Sequence, residues 1–432
     1  MEDPRASGPT GRSGPTGRSG PAGRGGPADQ GGPAGRGGPL AGIRVVEIGR
    51  YIAAPFAGRL LADLGADVIK VEAPDGDPMR WLPVGDRRSS PQFASYNRSK
   101  RSVTLDLKQA GGLAALRALV SSADVLLHNM RPDALARIGL DEELLTRQHP
   151  RLLICGISGY GLVGEYAGAQ GYDVVVSGLS GLSSQFLDLD EPKLTGPSIT
   201  DLITGMFAVQ SVLAGLVYRQ RSGRGQHVAV TMLEAAMNIV NDAVVTYAET
   251  GRAPDRDSRQ RRQHAFACIG SDDKAFIVHL SEVPARWQAF LAVLGHPSWE
   301  HDARFASYPE RCVHFDQLDA LVKARTRTRT RAQWLSALSE QDLACGPLNS
   351  IAEAMAEGQV AALRVLEQVP DADGGPVTMV APAGTFSASP VSGSAGAPEP
   401  GADTLDLLAE LALPEPVAQS VRESWRQRRL TR

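Results

Sequence analysis

From Ile43 onward, short runs of β-branched and apolar residues alternate with stretches whose apolar side chains recur every three or four positions. Ile43 to Ile48, Val68 to Val71, Val103 to Asp106, Val125 to His128 and Leu152 to Cys155 read as strands. Between them lie helical stretches. One starts at Pro55, runs through Leu61 and Leu64 and is ended by Gly65; another spans Leu113 to Ser121; a short one carries Leu144 and Leu145. Strand, helix, strand at this spacing predicts a parallel sheet covered on both faces. The expected fold is α/β, a Rossmann-like doubly wound large domain with ligands at the carboxyl ends of its strands.

The pattern then loosens. A Gly-rich segment leads to the apolar stretch Asp173 to Leu179 and a loop to Ser198. A long helix is expected from about Asp201 to Tyr218, with Ile203, Met206, Phe207, Leu213 and Leu216 at helical spacing. Gly223-Arg224-Gly225-Gln226 turns the chain into a strand at His227 to Val230, followed by a helix from Met232 to Ala248. The polar stretch 251–263 reads as a connection, and 264–350 as a mixed unit with a strand at Ala275 to Leu280 and a helix at Ala285 to Leu294. A last helix, Asp403 to Leu411, follows the Gly- and Pro-rich stretch Pro390 to Gly401. The pattern divides the chain into a tail at 1–38, a large α/β stretch at 39–250, a mixed unit with its connections at 251–350, and a last stretch at 351–432.

Ahead of all this, glycine falls at every third position from Gly8 to Gly26, the period of collagen, until Asp29 takes the next glycine's place. A run this short is read as a flexible, mildly basic Gly/Pro/Arg-rich tail with nothing to bury.

The chain has 432 residues, 42% hydrophobic and 22% charged, enough for a large core and a smaller second one. A net charge of -3 gives no pull toward nucleic acid or an anionic membrane surface. No uninterrupted apolar stretch suggests a membrane span, and the first residues lack the apolar core of a signal peptide. The four cysteines stand far apart with no CxxC pair, so neither a disulfide framework nor a metal site is expected, and the cytoplasm is the expected compartment.

Gly159-Tyr160-Gly161-Leu162-Val163-Gly164 matches the dinucleotide fingerprint, but the residues after it are too rich in glycine for the helix that the fingerprint requires. The basic run Arg325 to Arg331 has no interleaved aromatics and reads as a solvated surface. One residue carries more chemistry. Asp201 falls at or beside the start of the long helix, where an aspartate is a preferred cap. The helix dipole and free N–H groups would also suit an ionised, nucleophilic carboxylate. Residue type alone does not decide between these readings.

A set of ordered segments does. They are Gly42-Ile43-Arg44-Val45-Val46-Glu47, Ala53-Ala54-Pro55, Leu64 to Glu72, Asn97 to Ser102, Leu105-Asp106-Leu107-Lys108, Asn129-Met130-Arg131-Pro132, Gly171-Tyr172-Asp173, Ser222 to Gln226 and Cys345 to Asn349. In this order and spacing, from about Pro39 to Leu413, the chain resembles the class III CoA-transferases, the CaiB/BaiF family. The resemblance implies an interlocked homodimer in which a small α+β domain, 251–350, is inserted into a large CoA-binding domain that 351–432 returns to. It also implies transfer of coenzyme A from an acyl-CoA donor to a carboxylic acid acceptor, with no metal. Asp201 takes the nucleophile's place. The implied intermediates are an acyl-aspartyl anhydride and an aspartyl-CoA thioester. The resemblance also places Ile52 and Ala53 near the thiol end of CoA, Leu105, Lys108, Asn129, Met130 and Arg137 at its nucleotide and phosphates, and Tyr172 and Asp173 at the substrate.

Three departures narrow this. Ile52 stands where formyl-CoA transferase has a glutamine, Ala73 where it has a nucleotide-contacting arginine, and Phe266 to Asp273 lacks its tetraglycine loop. Tyr172 replaces the histidine that the related 2-methylacyl-CoA racemases use as a base, which favours transfer over racemisation. A racemase and a non-catalytic CoA-binding protein are the alternative readings.

Overall fold

The protein is described here by a computed structural model that covers residues 37–82, 90–370, 375–391 and 395–429. The Gly/Pro/Arg-rich tail, up to its last two residues, and the middle of the Pro390 to Gly401 stretch lie outside the described residues.

Six parallel strands form the central sheet: β1 (Arg44–Ile48), β2 (Asp67–Glu72), β3 (Arg101–Thr104), β4 (Val125–His128), β5 (Leu153–Ser158) and β6 (His227–Thr231). Their order is β3-β2-β1-β4-β5-β6, the doubly wound arrangement whose direction of growth reverses between β1 and β4. The helices of this half are α1 (Ala53–Asp63), α2 (Pro91–Asn97), α3 (Ala110–Ser121), α4 (Pro132–Arg137), α5 (Glu142–Gln148), α6 (Asp173–Leu179), α7 (Ile199–Ser222), α8 (Met232–Ile239) and α9 (Asn241–Thr250).

Alternation along the strands sends Val45, Val68, Leu127, Leu153 and Cys155 to one face, where they pack with Leu61 of α1 and Val212 of α7. Val46, Ile69, Leu126 and Ile154 face the other way, onto Leu116 of α3 and Leu145 of α5. Both faces are thus buried, which is why these strands read as near-continuous apolar runs.

The chain continues through α10 (Ser258–Gln263), β7 (Ala265–Ile269), β8 (Ala275–His279), α11 (Pro284–Leu294), α12 (Tyr308–Val313), α13 (Phe315–Thr326), α14 (Arg331–Ser339) and β9 (Ala344–Pro347). β7, β8 and β9 form an antiparallel sheet with its own core, built on Phe266, Phe276, Phe290, Phe315 and Trp334. The remaining elements are α15 (Ile351–Met355), α16 (Gly358–Ala362), the hairpin of β10 (Leu366–Pro370) and β11 (Pro376–Val380), α17 (Thr404–Glu410) and α18 (Glu415–Arg429). The C-terminal segment returns to the large sheet. Leu407, Leu408 and Val421 join the α3 side of the core, and Arg101 pairs with Glu410 and Asp403.

Several elements differ from the sequence expectation. β3 begins two residues early, because Arg101 pairs with Glu410, and the Ser102 hydroxyl donates to the buried Glu72 and accepts the Gly401 N–H. The expected helix from Met232 to Ala248 breaks at Val240 into α8 and α9. α18 went unread, since its composition is strongly polar and only a narrow stripe is buried. α7 is 24 residues long and contains an 18-residue window of mean hydropathy 1.5, the length and composition of a membrane span, yet it is the packed helix beside α1 and β5.

Beneath the start of α1 lies a fully buried ionic cluster. The Lys70 ammonium donates to Glu47 Oε1 at 3.0 Å and to the Gly49 carbonyl at 2.8 Å, and pairs with Asp77 at 3.0 Å. The Lys100 ammonium donates to the Pro55 carbonyl and to Asn97 Oδ1, both at 2.8 Å, and lies 2.7 Å from Glu47 Oε2. Burial pulls the Lys100 ammonium down to about 8 against the opposing field of Glu47. Removing one partner of such a set strands a buried charge. Lys70→Met should therefore lower stability by about 3–5 kcal/mol, read as a fall in the chemical-denaturation midpoint; an unchanged midpoint would show that the cluster is structurally idle.

Candidate active site

The loops after β1 and β4 meet at the switch point of the sheet and are stitched together by Asn129. Its Oδ1 accepts the Arg50 N–H at 3.1 Å, and its Nδ2 donates to the Arg50 carbonyl at 2.9 Å. Tyr51, next in line, is held at a φ of 63°, a conformation that non-glycine residues avoid unless their surroundings enforce it. Its ring meets that of Tyr172 edge to face, with centroids 6.2 Å apart. Ile52 and Ala53 then start α1.

A cavity of about 750 Å³ opens over this crevice. Of the residues singled out in the sequence, Ile52, Ala53, Asn129, Met130, Tyr172, Asp173 and Asp201 line it together. Leu105, Lys108 and Arg137 do not. The Leu105 side chain is buried in the core on the α3 side, and Lys108 is exposed on the loop after β3. Arg137 is 73% exposed and pairs with Asp133 on its own helix at 3.4 Å.

Two close approaches fix the reactive end. A Cβ on Gly205 would fall 3.0 Å from the Ala53 carbonyl oxygen and 2.8 Å from the Phe56 ring, so the bare glycine lets the first turns of α7 and α1 touch. Gly159 and Gly171 likewise pack Cα against backbone, and a Cβ on either would clash with the other. The Gly-rich stretch is thus a closed loop between the end of β5 and the start of α6, with no helix following the GxGxxG run. It delivers Tyr172 and Asp173 to the cavity.

Asp201 is not the helix cap. Ser198 holds that position, without a side-chain cap bond, and Asp201 is the third residue of α7. Its own N–H donates to Asp173 Oδ1 at 3.1 Å. Nor is its carboxyl held in the charged form by the helix end. Burial, reinforced by the neighbouring Asp173 charge, pushes it up to about 7. Among the described residues no hydrogen-bond donor reaches the carboxylate to offset its burial. Thr200, beside it, has a buried hydroxyl with no hydrogen-bond partner.

The structure adds residues that the sequence reading passed over. Arg50 and Arg131 line the cavity from the loops after β1 and β4, and their guanidinium groups have no partner among the described residues. Strand ends at a switch point are where ligands dock, so their positions were a usable signal. In the wall under β4, β5 and β6, Glu142 lies 3.0 Å from His128 Nε2 and 3.1 Å from His227 Nε2. Hydrogen bonds from the two imidazoles hold its carboxyl down at about 2. No sequence pattern joins these three residues, which come from separate strands and a helix. Glu142 gives one oxygen to each ring, and among the described residues no group of His, Cys, Asp or Glu is placed to hold a metal ion.

A partly buried carboxyl in the first turn of a helix, facing a switch-point crevice lined by arginines, is a combination suited to acyl transfer. The relatives give the class a name. Residues 40–404 match CoA-transferase family III, and the chain belongs to that family; it is a transferase. It is 33% identical to a succinate–glutarate CoA-transferase of Agrobacterium fabrum over 381 residues, covering 86% of this chain and 95% of the relative. It is 32% identical to an acetyl-CoA:oxalate CoA-transferase of Acetobacter aceti, covering 75% of this chain and 84% of that one. Among solved structures, a CaiB/BaiF family protein from Brucella suis superposes with a TM-score of 0.78 at 31% identity, covering 87% of this chain and 100% of that one. The fold is that of the class III CoA-transferases.

The raised carboxyl has a cost in stability. A group whose folded pKa stands above its unfolded value binds its proton more tightly when folded, so stability falls as pH rises from about 4 to about 7. Asp201→Asn removes that loss. The variant should be more stable than the natural protein by on the order of 2–4 kcal/mol at pH 8 and indistinguishable near pH 3.5. A gap that stays constant with pH, in melts taken across that range, would contradict the raised pKa.

Proposed function

We propose that the chain moves CoA from an acyl-CoA donor to a free carboxylic acid, with Asp201 as the nucleophile. The observation that carries this reading is the partly buried Asp201 carboxyl in the switch-point cavity, in a chain of this family. An Asp201 oxygen attacks the thioester carbonyl, the C–S bond breaks, and an acyl-aspartyl anhydride and CoA thiolate result. The thiolate attacks the aspartyl carbonyl, giving an aspartyl-CoA thioester and releasing the donor acid. The acceptor carboxylate attacks that thioester, and the returning thiolate takes the new acyl group, restoring the Asp201 carboxylate. Each step exchanges one activated acyl bond for another, so no ATP is consumed.

The proposed roles follow from placement. Ile52 and Ala53, at the start of α1, lie beside the first turn of α7 and suit the thiol end of CoA. Asn129 and Met130, with the free guanidinium groups of Arg50 and Arg131, suit its phosphates, for which Arg is an apt partner. For Leu105, Lys108 and Arg137 the support is the family resemblance alone. Dicarboxylic acids are the first acceptors to test, since the relatives' names include succinate, glutarate and oxalate. A homodimer, interlocked as in the family, is supported by apolar side chains left exposed on α6, α7 and α9, among them Val175, Met206, Val245 and Tyr247. Sedimentation at twice the chain mass is the expected result.

Three further outcomes test the chemistry. Asp201→Ala should reduce transfer at least about 10³-fold, and hydroxylamine should label Asp201 only in the presence of acyl-CoA. Rates for the natural protein should fall below about pH 7, where the nucleophile protonates. Separately, Arg131→Ala should raise KM for acyl-CoA about tenfold with little change in kcat. An unlabelled, dispensable Asp201 across a broad donor panel would end the proposal.

A further inference from the structure

The first turn of α7 lacks a conventional cap. Ser198 at the cap position makes no side-chain bond to the helix, and the Thr200 hydroxyl is buried without a partner. The N–H of Asp201 instead finds its acceptor on a different helix, in Asp173 Oδ1 at 3.1 Å. Asp173 is the first residue of α6, and two contacts set its place. Behind it, Gly171 packs directly on Gly159 at the end of β5. Beside it, the Tyr172 ring meets Tyr51, which belongs to the loop carrying Ile52 and Ala53. One carboxylate thus links the end of β5, the loop after β1 and the residue that carries the nucleophile.

We propose that Asp173 is the positioning residue of this site: by accepting the Asp201 N–H it completes the start of α7 and fixes the backbone from which the nucleophile projects. This rests on the reading of Asp201 as the nucleophile. A side chain cannot hold a near-attack geometry if its own backbone is free to fray, and first helical turns without caps do fray. The partner is also an anion lining the same cavity, so it repels an ionised Asp201 and raises the carboxyl's affinity for a proton.

Few other groups compete for that influence. Among the elements around α7, Arg59 and Asp63 of α1 pair with each other at 2.7 Å. Glu234 of α8 is held by the Thr231 hydroxyl at 2.7 Å. Cys155 of β5 is buried in the core, and His227 of β6 is engaged with Glu142. Asp124, at the start of β4, pairs at 3.0 Å with Arg219 near the far end of α7. Tyr96 of α2 is a further group, and its hydroxyl feels both Asp201 and Asp173.

The two contributions separate by substitution in the full-length chain. Asp173→Asn keeps the acceptor and removes the charge; Asp173→Ala removes both. With succinyl-CoA and glutarate as probe pair, Asp173→Ala should lower kcat about 10- to 100-fold, with KM for succinyl-CoA within about threefold of the natural value. Asp173→Asn should keep kcat at pH 9 within about threefold and move the acid limb of kcat/KM down by about one pH unit. Hydroxylamine labelling and Asp201→Ala run beside them. If Asp201 is labelled and required, yet Asp173→Ala works like the natural protein, positioning by Asp173 is overturned and the nucleophile reading stands. If Asp201→Ala stays active, the nucleophile reading fails whatever Asp173 does. Should Asp173→Ala not fold, Asp173→Asn decides: an unmoved acid limb, or a kcat loss of 10-fold or more, overturns the proposal.

Discussion

The site depends on four charges that water never reaches. Glu47 of β1, Lys70 of β2, Lys100 before β3 and Asp77 at the start of the turn Pro78–Trp81 are all fully or nearly fully buried, two of each sign. Burying such ions costs several kcal/mol each, and mutual attraction offsets this only when every donor and acceptor is engaged. What the cluster supplies is definition. Lys70 holds the Gly49 carbonyl and Lys100 holds that of Pro55, on either side of the Arg50 to Ala53 segment. That segment can then bear the unfavourable backbone of Tyr51 and present Ile52 and Ala53 to the cavity. Gly205 passes the constraint on, seating α7 against the start of α1. The place of Asp201 is thereby set by charges on the far side of α1.

This dependence explains what could be read in the sequence and what could not. β1, β2, β4 and β5 were legible because a sheet covered on both faces demands unbroken apolar runs, and Val45-Val46 or Leu126-Leu127 supply them. Lys70 and Glu47 sit within such runs with no sequence signal that they are buried as partners, since pairing across strands has no fixed spacing. α18 escaped for the opposite reason: a helix that buries only a narrow stripe does not declare itself by hydrophobicity. At the site, the carboxylate was legible through its ordered family segments, but its surroundings were not. Only the fold shows that its N–H is capped from α6, and only the fold brings His128, Glu142 and His227 together. The Gly-rich run shows the same limit. Its pattern matches the dinucleotide fingerprint without the helix that must follow, and only the fold shows its use, the contact of Gly159 with Gly171 that closes a loop.

The cavity is divided by charge. Arginines without a partner among the described residues stand at the strand ends, where a polyanionic substrate would be anchored, and two carboxylates lie at the other end of the cavity. For the proposed nucleophile an acidic neighbour looks unhelpful, because protonation silences it. In the proposed mechanism the balance reverses once the carboxylate is acylated. An anhydride or a thioester on Asp201 would carry no negative charge and would escape the repulsion from Asp173. The free carboxylate would then be destabilised relative to the acyl-enzyme, which would lower the rise in energy on the way to the covalent state. A carboxylate with a higher proton affinity is also the stronger nucleophile, provided that the medium is basic enough to ionise it. A pKa near 7 is a compromise between these demands, reached by partial burial and one fixed anion rather than by any unusual residue.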